Sequence, residues 1–392
     1  MSSSIPFPES KLFTPLQIGN ITLQHRIVMA PLTRLRATAD HVILSMAKEY
    51  YGQRATTPGT LLIAESNLIS PRHGGAAHMP GIWNQEQIAA WKEVVNAVHA
   101  KGSYIFLQLV ALGRVADEEQ LKKEGGYPVV GASAIPFRGT GMGEGVVVEG
   151  ATPHPLTQDE IQTTVDDFVQ AAKNGIEAGF DGIEIHGANG YLVDQFLQDT
   201  SNQRTDSYGG SIENRARFAL EVATAVSQAI GKERLGFRIS PFSTFQGMKM
   251  DGNKPVEQFS YLTQKLKDLD LAYLHIIESR VVNNVDCEKT EGIEPFLEIW
   301  GREKPVLVAG GFNSERAKEA VEVEYKDFNV GVVFGRWFIS NPDLVFRIKH
   351  GLELNGYERD TFYAVEQKKG YLDYPSSEEW KRGCGKCMNG SK

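Results

Sequence analysis

The sequence predicts an α/β protein whose eight strands close into a parallel (β/α)8 TIM barrel. Three observations carry that reading: eight short, β-rich apolar runs; amphipathic helical segments between them; and no glycine-rich dinucleotide fingerprint after an early strand. The runs are 26–32, 61–67, 104–110, 182–188, 234–240, 273–279, 305–311 and 330–336. The first three are nearly continuous in apolar residues, broken by Glu65, Ser66 and Gln108 towards their ends. The fourth and fifth alternate, so Ile183, Ile185, Phe237 and Ile239 should face the helices, with Glu184, His186 and Arg238 facing the barrel interior. The last three end in Glu278, Gly310-Gly311 and Gly335-Arg336. Helices are predicted over 84–101, 157–178, 212–230, 255–269 and 314–323, several of them opened by Asn, Thr or Ser caps.

The competing topology is an open doubly wound sheet. Gly139-Thr-Gly141-Met-Gly143, the nearest approach to its fingerprint, falls in a long loop and reads as a flexible turn. Two decorations are expected. Residues 12–23, with Gly19-Asn20 between apolar runs, form a hairpin that caps the bottom of the barrel. Residues 111–156 form a long Gly- and Pro-rich excursion after strand three that covers the mouth. A single domain over 1–375 then leaves 376–392 as a polar, flexible tail. Its Cys384 and Cys387 fall short of the four ligands of a structural zinc site, so no metal is expected.

The 392 residues carry 41 Lys+Arg against 49 Asp+Glu, a formal net charge of −8. No global positive field exists to attract nucleic acid or an anionic membrane. The first ten residues lack a basic n-region and an apolar core, and no apolar stretch is long enough to span a bilayer, so a soluble cytoplasmic protein is expected. Three cysteines cannot build a disulfide framework, which agrees with a reducing compartment. Asn20-Ile-Thr22 and Asn389-Gly-Ser391 then read as chance matches to a glycosylation pattern.

Barrel enzymes keep their chemistry where the strands end. The polar residues there are Thr33, Arg34, Glu65, Ser66, Gln108, His186, Arg238, Ser240, Glu278 and Arg336. Inward charges at Glu184 and Arg238 are costly unless paired with each other or with a ligand, which leaves a structural ion pair and a ligand-holding role both open. No strand ends in a lysine placed for a Schiff base, and the nine histidines are scattered, which argues against aldolase and metallohydrolase chemistry. Gly310, Gly311, Gly335 and Arg336 suit a phosphate at the ends of strands seven and eight. His186-Gly-Ala-Asn189-Gly-Tyr191 places an imidazole, a carboxamide and a phenol within six residues. Either two donors converge on a carbonyl oxygen beside a phenol with a deliverable proton, or His and Asn cap a loop on which Tyr packs.

Longer motifs carry a resemblance: Ile185-His-Gly-Ala-Asn-Gly-Tyr-Leu-Val-Asp-Gln-Phe196, the stretch 202–215, Met29-Ala-Pro-Leu-Thr33, Pro80-Gly-Ile-Trp83, the stretch 334–343 and Tyr371-Leu-Asp-Tyr-Pro375. From about Lys11 to Tyr374 the chain resembles the Old Yellow Enzyme family of FMN-dependent ene-reductases, in particular its fungal branch. The resemblance implies tightly but non-covalently bound FMN, with its phosphate at Gly310, Gly311, Gly335 and Arg336. Ring contacts are implied for Pro31, Leu32, Thr33, Ser66, Gln108 and Arg238. It implies a ping-pong reaction in which NADPH or NADH reduces the flavin, which then reduces the C=C bond of an α,β-unsaturated carbonyl or nitro compound. His186 and Asn189 would bind the carbonyl oxygen and Tyr191 would protonate the α-carbon, with Tyr363 at a substrate-contact position. Where many family members carry Trp, this chain has Val110 on the interior parity of Gln108, so an enlarged substrate pocket is expected. The implied partner is a small enone or enal, with no nucleic acid or membrane, in a monomer or homodimer. Two other readings remain: a pathway-specific reductase or isomerase of an unsaturated aldehyde in fungal secondary metabolism, and a non-catalytic flavin-binding barrel. Tyr191 favours reduction, because isomerising relatives tend to carry Phe there.

Overall fold

Eight parallel strands close into a barrel in a computed structural model that describes residues 5–139, 148–282, 285–287 and 290–388. In chain order they are β1 (Ile27–Met29), β2 (Leu61–Leu68), β3 (Tyr104–Val110), β4 (Gly182–Gly187), β5 (Leu235–Ile239), β6 (Tyr273–Ile277), β7 (Val306–Ala309) and β8 (Val330–Phe334). Each pairs with its successor, and β8 returns to β1 through Val332 opposite Ile27 and Phe334 opposite Met29. Every run read from the sequence is therefore a strand of the barrel; 104–110 matches in extent, 61–67 gains Leu68, and the other six are trimmed at their ends.

Both faces of these strands are buried, the usual condition of a parallel sheet. Outward residues such as Leu107, Leu109, Ile183, Ile185, Phe237 and Ile239 join the core beneath the helices. Inward residues Val28, Leu61, Ile63, Phe106, Tyr273, Leu307 and Val333 form a second cluster inside the barrel. The predicted hairpin is present as antiparallel Leu16–Ile18 and Ile21–Leu23, and its Leu16, Ile18 and Leu23 join that inner cluster and close the bottom.

The outer layer contains α1 (Met46–Arg54), α2 (Gln85–His99), α3 (Gln158–Glu177), α4 (Ile212–Ile230), α5 (Lys254–Asp268), α6 (Glu294–Trp300), α7 (Ser314–Glu319) and α8 (Leu344–Lys349). The expected caps form where expected. The Asn84 side chain accepts from Gln87 N, the Ser211 side chain from Asn214 N, and Thr157 with Glu160 completes a capping box. The predicted helix 314–323 divides at Glu319, beyond which Ala320–Glu324 is a π turn.

After β3 the excursion is present, with Val130–Gly131 paired to His154–Pro155 and Arg138–Gly139 to Val148–Glu149. Most of the glycine cluster at 139–143 lies outside the described residues, as do Asn389-Gly-Ser391 and the side chains of Cys384 and Cys387. In the segment expected to be a polar tail, the chain enters a helix, Glu378–Met388. Ser377 anchors its start, with backbone N–H and hydroxyl both donating to Asp343 Oδ2 at 2.8 and 2.6 Å. Among the described residues no helix is long and apolar enough to cross a membrane.

Candidate active site

A cavity of about 480 Å³ opens over the C-terminal ends of the strands, within the usual range for a small-molecule site. Its floor is a hydrogen-bonded chain inside the barrel. The Gln108 Nε2 donates to Glu184 Oε1 at 2.7 Å, which turns Gln108 Oε1 towards Ser66, whose hydroxyl donates to it. The Glu184 Oε2 accepts from Tyr273 O–H at 3.0 Å and from His275 Nδ1 at 2.8 Å. Gly236 makes this possible, because a Cβ there would sit 2.1 Å from the Tyr273 ring. Burial alone would raise the Glu184 pKa, but its donors and nearby Arg238 outweigh it and hold the carboxylate below its usual range. Burial keeps His275 neutral, so it serves Glu184 as an Nδ1–H donor.

Arg238 lies in register with His186 on the neighbouring strand. Its side chain is buried, and its Nε has no hydrogen-bond partner. The His186 Nδ1 is likewise buried without a partner. Burial first, and Arg238 second, hold the His186 pKa well below its usual range, so its ring is neutral. It meets the Tyr191 ring edge-on, with centroids 4.9 Å apart.

The turn between them is left-handed at two successive residues, Asn189 at φ +58° and Gly190 at φ +77°. Such a conformation costs a non-glycine residue about 1–2 kcal/mol, so the surroundings must hold it. The Ser240 hydroxyl accepts from Asn189 N at 2.8 Å and Asp194 Oδ2 from Gly190 N at 2.9 Å. With its amide nitrogen turned inward, Gln246 donates to the carbonyls of Asn189 and Gly190 at 3.1 and 3.2 Å. Gln246 also lies beside the Tyr191 phenol, whose pKa burial pushes up to about 12.

At the opposite end, Gly310, Gly311, Gly335 and Arg336 meet at the cavity wall. Gly311 has φ +64°, a conformation glycine adopts without strain, and the Arg336 Nη1 donates to Tyr357 O–H at 3.1 Å. Tyr363 roofs the cavity on a loop tied down by two buried arginines. Arg34 donates to the Phe362 and Gly370 carbonyls at 3.1 and 2.7 Å. Arg36 donates to those of Phe362, Thr361 and Gln367 at 2.8, 3.0 and 3.1 Å.

The cavity thus brings together Pro31, Leu32, Thr33, Ser66, Gln108, His186, Asn189, Tyr191, Arg238, Gly310, Gly311, Gly335, Arg336 and Tyr363. Val110 is not among its walls. The register of β2 on β3 shifts between Ala64 and Asn67, placing Val110 opposite Leu68 in a closed apolar cluster with Met79 and Leu112. Tyr191 packs against that cluster, so the smaller side chain does not enlarge the cavity directly. Arg34 and Glu65 also turn away from it: Glu65 Oε2 accepts from Arg34 N at 3.1 Å and Oε1 lies 3.4 Å from Tyr51 O–H. Sequence reasoning missed Phe245, which lines the cavity, along with Gln246 and Arg114, whose Nη2 donates to Gln246 O at 3.1 Å. The left-handed backbone of Gln246, at φ +57°, gives no local sequence signal, and Gly247 is its only hint.

Two buried polar atoms without partners, a glycine-lined pocket with an arginine at one end and an amide edge on the floor form a donor set that fits FMN.

The chain matches the family model described as NADH:flavin oxidoreductase / NADH oxidase over residues 11–355. It is 51% identical over 373 residues to a chanoclavine-I aldehyde reductase of Penicillium roqueforti, covering 95% of this chain and 98% of that one. It is also 52% identical over 378 residues to a protein of Epichloe festucae var. lolii described as a probable inactive reductase, covering 95% and 96%. Among solved structures it superposes on an old yellow enzyme homologue from Zymomonas mobilis with a TM-score of 0.85 at 36% identity, over 93% of this chain and 99% of that one. Morphinone reductase gives a TM-score of 0.83 at 40% identity, over 95% and 97%. The chain therefore belongs to the NADH:flavin oxidoreductase / NADH oxidase family, as an Old Yellow Enzyme of the fungal branch.

Proposed function

We propose that the protein holds FMN across the barrel mouth, takes reducing equivalents from NADPH or NADH, and reduces the C=C bond of an α,β-unsaturated carbonyl compound. The observation that carries this reading is that neutral His186, Asn189 and the proton-retaining phenol of Tyr191 line the same cavity as Thr33, Gln108 and Arg238. When bound, FMN supplies the hydride chemistry. Gly310, Gly311, Gly335 and Arg336, which line the cavity, would hold its phosphate, and Pro31, Leu32, Thr33, Ser66 and Gln108 would hold its ring. Arg238, a fixed positive charge lining the cavity, would favour the negative charge of the reduced ring.

On the substrate side, an N–H of the His186 ring and the Asn189 amide donate to the carbonyl oxygen. They stabilise the enolate-like charge that develops on it, a contribution of about 3 kcal/mol for a single well-placed donor. Tyr191 delivers its proton to the α-carbon, and Tyr363 and Phe245 cover the substrate. That relatives include fungal aldehyde reductases supports an unsaturated aldehyde as the substrate class. The presence of His186, Asn189 and Tyr191 together supports an active enzyme, although some relatives are described as probably inactive.

Anaerobic spectroscopy tests the reading. The purified protein should carry a flavin spectrum that NADPH bleaches and an enal restores. Protein without flavin, or reduced flavin that no enal, cyclic enone or nitroalkene reoxidises, would refute it.

A further inference from the structure

Glu184 has no exposed surface and lies inside the barrel, where an unpaired carboxylate costs several kcal/mol. Three donors reach it, from Gln108, Tyr273 and His275, at 2.7, 3.0 and 2.8 Å. Only one of those partners, Gln108, lines the cavity. Rotating the Gln108 amide would set its oxygen against the Glu184 carboxylate, acceptor to acceptor, so Glu184 fixes which end of the amide Gln108 turns to Ser66 and the cavity. The same carboxylate offsets the buried charge of Arg238, which also lines the cavity.

We propose that Glu184 is a positioning residue for the flavin site: it locks Gln108 with its amide oxygen towards the ring, and it moderates Arg238, setting how far the floor favours reduced over oxidised FMN. This rests on the FMN reading above. A carboxylate that merely held strands β4, β3 and β6 together would affect stability and leave the flavin's redox balance alone.

The test is the midpoint potential of FMN bound to the holoenzyme, measured by dye-equilibrated reduction. Glu184→Gln removes the negative charge beside Arg238, and the preference for reduced over oxidised FMN should rise about tenfold, a positive shift of about 30 mV for a two-electron couple. Glu184→Asp keeps the charge and should hold the potential close to that of the native protein. If Glu184→Gln does not accumulate as folded protein, Tyr273→Phe carries the test. It withdraws one donor from the charged carboxylate, and the potential should fall. An unchanged potential in Glu184→Gln, or in Tyr273→Phe where only that variant folds, overturns the proposal. Loss of the FMN reading looks different, because the native protein would then bind no FMN.

Discussion

Replacing Tyr191 with Phe removes one oxygen and keeps the ring that meets His186 edge-on and packs on the Leu68, Val110 and Leu112 cluster. The hydrogen-bond partner lost is Gln246, so the stability cost should be about 1 kcal/mol. The chemical cost should be far larger and confined to one half of the cycle. A positioned general acid contributes about 10²–10⁴-fold, so reoxidation of the reduced flavin by an enal should slow by that factor. Reduction by NADPH needs no proton from Tyr191 and should stay within about twofold of the native rate. Anaerobic stopped-flow absorbance at the flavin band separates the two steps. The pH profile supplies a second check. An acid works in its protonated form, and the phenol keeps its proton up to about pH 12, so no loss of reoxidation rate assignable to Tyr191 should occur between pH 6 and 9. Equal slowing of both half-reactions would refute the assignment, as would a reoxidation rate that Tyr191→Phe leaves unchanged.

Three further outcomes follow from named contacts. Arg336→Ala removes the one guanidinium among the proposed phosphate-holding residues; FMN should bind about 10–100-fold more weakly by fluorescence titration, and unchanged affinity would place the phosphate elsewhere. Val110→Trp overfills a closed cluster and should cost about 1–3 kcal/mol in denaturant melts while lowering turnover of small and large enals alike by displacing Tyr191; a change confined to bulky substrates would mean that residue 110 lines the pocket after all. Burial pulls His25 down to about 4, and its Nδ1 accepts from Ile27 N at 3.2 Å only while neutral. Between that value and an unfolded pKa of about 6.5 the unfolded chain binds more protons, so this stability is present above the window and lost as pH falls through it. The stability gap between native protein and His25→Gln should therefore shrink by about 2–3 kcal/mol from pH 7 to pH 4, and a constant gap would contradict the buried neutral ring.

The barrel was legible because strands buried on both faces leave nearly unbroken apolar runs, and alternation inside β4 and β5 fixed the inward set of Glu184, His186 and Arg238. The open choice over the Glu184 and Arg238 charges resolves into an inner network whose other members, Tyr273 and His275, looked like ordinary strand residues. Helix α1 was not legible. It buries Tyr50, Tyr51 and Arg54, with the Arg54 guanidinium 3.6 Å from the centre of the Tyr50 ring, so the aliphatic periodicity that marks a helix is missing.

Strand-end charges were the least reliable signal, and Arg34 shows why. Parity places a residue on one side of a strand only while the strand remains regular, and Arg34 lies beyond the end of β1. Its neighbour across the barrel wall, Glu65, lies where β2 shifts register on β3. What satisfies Arg34 and Arg36 is largely the carbonyl oxygen of residues more than 300 positions away, Phe362 and Gly370 for one and Thr361, Phe362 and Gln367 for the other. Backbone acceptors are the same at every residue, so no pattern of side chains announces them. A buried arginine met by carbonyls and one met by a ligand therefore look alike in a sequence, and only the path of the returning chain distinguishes Arg34, which straps down the Tyr363 loop, from Arg238, which keeps an unpartnered nitrogen at the cavity.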